Sequence, residues 1–116
     1  MKFPIRYQLE SVDCGPTCIQ MLASFYGKDY LLSEIKEQCS QTRLGVSLND
    51  MIIACNKIGL KALPVQPKFK NIKDMPLPAI LFWRQEHFVV LYKIKEGRYY
   101  IADPGYGKIV LDENSF

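Results

Sequence analysis

Apolar residues recur at helical spacing in the first half of the chain and gather into short strand-like runs in the second. Cys14, Cys18, Met21, Leu22 and Phe25 share one face and predict a helix from Cys14 to about Tyr26. Gly27 is its stop. Asp13 fits the N-cap, its carboxylate taking the Gly15 N–H because Pro16 has none to offer. A short second helix is expected over Leu32–Cys39. A third starts at Ser47, where Asp50 three residues on resembles a capping box, and ends at Gly59. Its apolar face is Leu48, Met51, Ile52, Cys55 and Ile58.

Leu60–Val65 is expected as a strand before Pro67, and Leu77–Trp83 as another, with Pro76 and Pro78 at its beginning. Phe88–Ile94 and Arg98–Ala102 read as a hairpin turning at Glu96-Gly97. Lys108–Leu111 is one more strand after the Asp103-Pro104-Gly105 turn. Helices followed by strands predict an α+β fold, the N-terminal helices packed against a C-terminal antiparallel sheet. There is no internal repeat or linker, so residues 1–116 read as one domain.

Composition supports a real core: 48% of the 116 residues are apolar, against 23% charged. The net charge of +3 is too small to call for nucleic acid. The scattered lysines from Lys57 to Lys73 read as a solvated face. The longest apolar runs, near Ala79–Trp83 and Phe88–Tyr92, are far shorter than the ~20 residues of a spanning helix. The opening MKFPIRYQLE has no apolar stretch behind its basic residues, so it is not read as a signal peptide. The four cysteines are therefore expected as free thiols in a reducing compartment. Structural zinc is a poor reading, with one Cys-x3-Cys pair, a single histidine and no second pair.

Candidate chemistry starts at Cys14. A thiol in a first helical turn sits among unpaired N–H groups at the positive end of the dipole, which favours the nucleophilic thiolate. Cys18, Cys39 and Cys55 lie on apolar stripes or helix ends and read as structural. His87 is the only histidine and therefore the only imidazole base for a Cys–His enzyme. Asp103 ends one hairpin strand where His87 begins the other, so antiparallel pairing would make them neighbours. A carboxylate there fixes the imidazole tautomer. Gln8, six residues before Cys14, carries an amide suited to an oxyanion.

These positions also resemble a known family. The run Gln8-Leu9-Glu10-Ser11-Val12-Asp13-Cys14-Gly15-Pro16 is similar to the cysteine box of the bacteriocin-processing, papain-like endopeptidases found at the N-terminus of peptidase-containing ABC transporters. His87–Tyr92 and Ile101-Ala102-Asp103-Pro104 resemble its histidine and aspartate boxes, in the family's order, and Gly45-Val46-Ser47 its turn into the third helix. The resemblance implies Cys14 as nucleophile, His87 as general base and acid, Asp103 as orienting acid and Gln8 as oxyanion donor, with none substituted.

It further implies a leader-bearing precursor peptide as substrate, cut after Gly-Gly or glycine and another small residue, and no cofactor. ATP would bind only to a separate transporter domain. Expected partners are the membrane-spanning and nucleotide-binding domains of that transporter, and the expected place is the cytoplasmic side of a bacterial membrane. Lys108–Phe116 is similar to the family's last strand and the opening of a further helix, so an excised domain is expected, with a natural stand-alone peptidase as the alternative. Two alternatives stay open: another papain-like amidase or acyltransferase, and a catalytically silent leader-binding module.

Overall fold

A computed structural model of the chain describes residues 2–39, 47–62, 74–83 and 87–116. A single 3-10 turn, Ser11–Asp13, runs directly into α1, Cys14–Phe25. Helix α1 is buried along Thr17, Cys18, Ile19, Met21 and Ala23, and it ends at Gly27, whose φ of +87° is left-handed. Fully burying a side chain such as Ile19 or Met21 contributes about 1.5–3 kcal/mol. Helix α2, Leu32–Gln38, buries Ile35. Its first turn is held by the Leu31 N–H donating to Glu34 Oε1 at 2.7 Å. Helix α3, Leu48–Lys57, opens on the expected cap, the Asp50 N–H donating to Ser47 Oγ at 3.1 Å.

Three local expectations are corrected. Asp13 precedes α1 but makes no side-chain cap; its carboxylate turns back to accept the Glu10 N–H at 3.2 Å. The 3-10 turn ahead of the helix brings Glu10, rather than Gly15, within its reach. Leu48 is exposed, because the buried face of α3 is Met51, Ala54 and Cys55. Residues 60–62 form no strand, although Leu60 and Ala62 pack against the core; the rest of that expected strand lies outside the described residues, as do Gly45 and Val46.

The sheet is an antiparallel meander in the order β1-β2-β3-β4: Ala79–Trp83, His87–Lys95, Arg98–Asp103 and Gly107–Asp112. The β2–β3 hairpin turns at Glu96 and Gly97, both with positive φ (53° and 76°), the combination a tight two-residue turn requires. Asp112 closes the last strand by accepting the Ser115 N–H at 2.8 Å, a bond that lowers its pKa.

Both faces of the sheet are covered, which explains the unbroken apolar run Phe88-Val89-Val90-Leu91. Phe88, Val90 and Ala102 join Cys18, Ile19, Met21, Ile35 and Met51 in the helix-side core. Val89, Leu91, Tyr99 and Ile101 form a second cluster with Met75, Leu77 and Phe116, and the Phe116 ring stacks on Tyr99 at 4.3 Å. Tyr92 follows Phe88 and Val90 on the helix side and stacks on Phe3 at 4.8 Å, while beyond a register shift between Leu91 and Lys93 the Ile94 side chain packs in the second cluster.

Candidate active site

Cys14 is the first residue of α1 and is half-buried, packed at the edge of the helix-side core. Gly15 lets this turn lie tightly against α3 and in contact with β2. A Cβ there would stand 2.9 Å from Met51 Sδ and 3.5 Å from Phe88 Cδ2. Gly15 directly follows Cys14 and Phe88 directly follows His87, so this close approach carries the helix start to the start of β2.

His87 opens β2 and Asp103 closes β3, and antiparallel pairing brings the two ends together. His87 Nε2 lies 2.5 Å from Asp103 Oδ1. The same oxygen accepts the Gly105 N–H at 2.8 Å, so the carboxylate is fixed from its own turn before it meets the imidazole. Asp103 is buried, and a buried carboxylate bonded in this way is a strong, directional anchor. With Nε2 on the carboxylate, Nδ1 is the ring nitrogen left to serve a thiol.

Gln8 reaches this corner through the backbone, its N–H donating to the Pro104 carbonyl at 2.8 Å. Its side chain lies over the Asp103-Pro104-Gly105 turn: a Cβ on Gly105 would be 3.3 Å from Gln8 Oε1 and 3.5 Å from Asp103 Oδ1. The amide Nε2 donates one hydrogen to the Glu10 carbonyl at 3.0 Å. An amide nitrogen has two, so one remains for another acceptor. The structure thus gathers Gln8, His87 and Asp103 at one turn, with Cys14 on the adjoining helix start.

The other thiols sit in different surroundings. Burial pushes Cys18 well above the ordinary 9.0, with Cys14 and Asp103 adding to the effect. Burial also pushes Cys39 and Cys55 to about 11; Asp50 adds to the rise at Cys39, and Cys39 to that at Cys55. Among the described residues no cluster of three or more histidine, cysteine or acidic side chains gathers as for a metal. A cavity of about 280 Å³ at the far end of α1, walled by Phe25, Tyr92, Tyr100, Lys93 and Lys108, holds none of the four candidates.

A buried acid with another expected role and a cation the sequence did not single out also shape this corner. Asp13 is fully buried, with Lys36 Nζ of α2 at 3.1 Å from its Oδ1. The Asp13 carbonyl accepts the Thr17 hydroxyl at 2.7 Å. Nothing in the sequence sets Lys36 apart from the other basic residues of the chain. For Asp13 there was a signal, the three-residue spacing from Glu10 ahead of a helix, which suits a local carboxylate-to-N–H bond.

Comparison with known proteins gives a consistent result. Residues 2–116 match the Peptidase C39 family. The lactococcin-G-processing and transport ATP-binding protein of Lactococcus lactis subsp. lactis is 34% identical over 115 residues, 90% of this chain and 16% of that protein. The chain spans 15% of the length of two Escherichia coli relatives, a probable microcin-H47 secretion/processing ATP-binding protein and a colicin V secretion/processing ATP-binding protein, each 26% identical. A crystal structure of a double glycine motif protease from an AMS/PCAT transporter, in complex with its leader peptide, matches with a TM-score of 0.94 at 28% identity, over 99% of this chain and 83% of that one. The peptidase domain of a bi-functional Streptococcus ABC transporter shares the fold, with a TM-score of 0.86 at 18% identity, over 99% of this chain and 90% of that one.

Proposed function

The chain belongs to the Peptidase C39 family, a family of cysteine peptidases, and we propose that it removes the leader from a secreted precursor peptide by cutting after a Gly-Gly-type pair. The observation that carries the mechanism is the His87 Nε2–Asp103 Oδ1 contact beside the helix start that bears Cys14. It leaves Nδ1 to take the Cys14 proton and holds the resulting imidazolium against a carboxylate. The Cys14 thiolate adds to the scissile carbonyl carbon, and the oxyanion so formed is met by the Cys14 N–H and the second hydrogen of the Gln8 amide. The intermediate collapses as the C–N bond breaks. The leaving amine takes the proton from His87, and the leader remains as a thioester on Cys14. His87 then removes a proton from water as it attacks; the leader departs as a carboxylate and the thiol is restored. Each step uses side chains and backbone of this chain, and we assign it no cofactor.

The substrate reading is supported by the double glycine motif protease seen with its leader peptide. Glycine offers little contact surface, so affinity must come from upstream leader residues meeting apolar side chains. Exposed Tyr7, Leu9 and Tyr106 flank the Gln8 and Gly105 corner and supply such surface. Because the relatives are much longer transport proteins, the proposed setting is a transporter's cytoplasmic face, beside membrane-spanning and ATP-binding domains. Among the described residues no helix is long and apolar enough to cross a membrane.

The test is mass spectrometry of synthetic precursors carrying a Gly-Gly leader. Cleavage after the pair is expected, with Cys14→Ala losing cleavage and retaining leader binding. An intact precursor, with turnover of muropeptides instead, would replace this reading by an amidase; Cys14→Ala cleaving at the wild-type rate would remove Cys14 from the chemistry.

A further inference from the structure

We propose that Lys36 and Asp13 are positioning residues that aim the Gln8 amide, an inference that rests on the peptidase reading above. The connection runs through one residue, Glu10. Its N–H donates to Asp13 Oδ2 at 3.2 Å, and its carbonyl accepts the Asp13 N–H at 3.0 Å. That carbonyl is also the acceptor that holds Gln8 Nε2, again at 3.0 Å. Asp13 therefore grips Glu10 on both sides, and Glu10 in turn fixes where the second Gln8 hydrogen points.

The Glu10 and Leu9 side chains are exposed, so burial does not anchor them. The Gln8 backbone is tied to Pro104, which places the residue but leaves its side-chain torsions to be set by the Glu10 carbonyl. The grip depends on Asp13 staying ionised and in place at a fully buried position. A buried carboxylate needs a nearby cation, and Lys36 Nζ supplies one at 3.1 Å from Oδ1. Oδ1 thus faces the ammonium while Oδ2 faces the Glu10 N–H. In this way α2, which contributes no group to the chemistry, bears on the oxyanion donor.

The effect belongs in turnover rather than binding, since the oxyanion exists only after attack. The experiment measures kcat and KM on a Gly-Gly precursor for the wild-type chain, Lys36→Met, Lys36→Arg, Gln8→Ala and the Gln8→Ala/Lys36→Met double variant. A misplaced catalytic group loses rate steeply, so kcat of Lys36→Met should fall about tenfold or more with KM within about twofold. Lys36→Arg keeps the cation and should restore most of the rate. In the Gln8→Ala background Lys36→Met should cost less than about twofold, because the group it aims is already gone. Lys36→Gln, uncharged and shorter, carries the same expectation and replaces Lys36→Met where circular dichroism shows that variant unfolded. Unchanged kcat in the folded single variant, or losses that multiply in the double one, would overturn the inference. A wild-type chain that leaves the precursor intact overturns the peptidase reading and this inference with it, a result distinct from either.

Discussion

Replacing Asp103 by asparagine changes one atom of the candidate site and almost none of its shape. The carboxylate Oδ1 accepts from Gly105 N–H at 2.8 Å and lies 2.5 Å from His87 Nε2. An asparagine can keep an oxygen in that place, so both bonds survive as neutral ones. What is lost is charge. A hydrogen bond to a charged group contributes about 1.5–3 kcal/mol and a neutral one about 0.5–1.5 kcal/mol, so the imidazolium formed when Cys14 gives up its proton loses about 1–2 kcal/mol. At about 1.4 kcal/mol per tenfold, kcat should fall roughly 5- to 30-fold. KM should stay within about twofold, because the precursor does not need the imidazolium to bind. The assay is steady-state cleavage of a Gly-Gly precursor followed by mass spectrometry, with thermal unfolding recorded on the same samples. Asp103→Asn turning over at the full wild-type rate would refute the role given to the carboxylate. A loss confined to KM would refute it equally, by moving Asp103 from chemistry to binding.

Three further outcomes follow from the burial and packing of the chain. Cys39 and Cys55, raised to about 11, stay protonated at neutral pH, so iodoacetamide at pH 7.5 should label Cys14 first, as peptide mapping will show; equal early labelling of Cys55 would contradict the burial argument. The raised thiols also give stability a sign: a group whose folded pKa lies above its unfolded value, ordinarily 9.0, stabilises below that value and loses the effect as pH climbs toward about 11, so the unfolding temperature should drop across that alkaline window. Gly15→Ala places a methyl 2.9 Å from Met51 Sδ, and overpacking of this kind costs about 1–3 kcal/mol, read as a lower urea midpoint; a midpoint equal to the wild type would mean that Met51 moves aside freely.

Much of this protein was written locally in its residues. The apolar stripe from Cys18 to Phe25 determined α1, because one helical face had to be buried. Ser47 with Asp50 marked the start of α3, because a hydroxyl there satisfies an otherwise unpaired N–H. The Glu96-Gly97 turn between two apolar runs determined the hairpin, and the hairpin determined that His87 and Asp103 would meet. These features are short in range: each is settled by residues within one turn, one helix or one pair of strands. Where a single local contact can be replaced by a better distant one, sequence reading failed. Asp13 was expected to cap its own helix, yet its carboxylate bonds Glu10 and sits beside Lys36 of α2. Leu48 had the right spacing for the core and faces outward, because α1 and α2 cover a different side of α3. Only tertiary packing could bring the Gln8 backbone onto Pro104, 96 positions away, or press Gly15 against Phe88 so that a helix start and a strand start share one corner. The sequence singled out the groups proposed for the chemistry, since a single histidine left no choice of imidazole. The fold decided how they are held, because a buried carboxylate takes whichever cation and N–H groups the packed chain brings within reach.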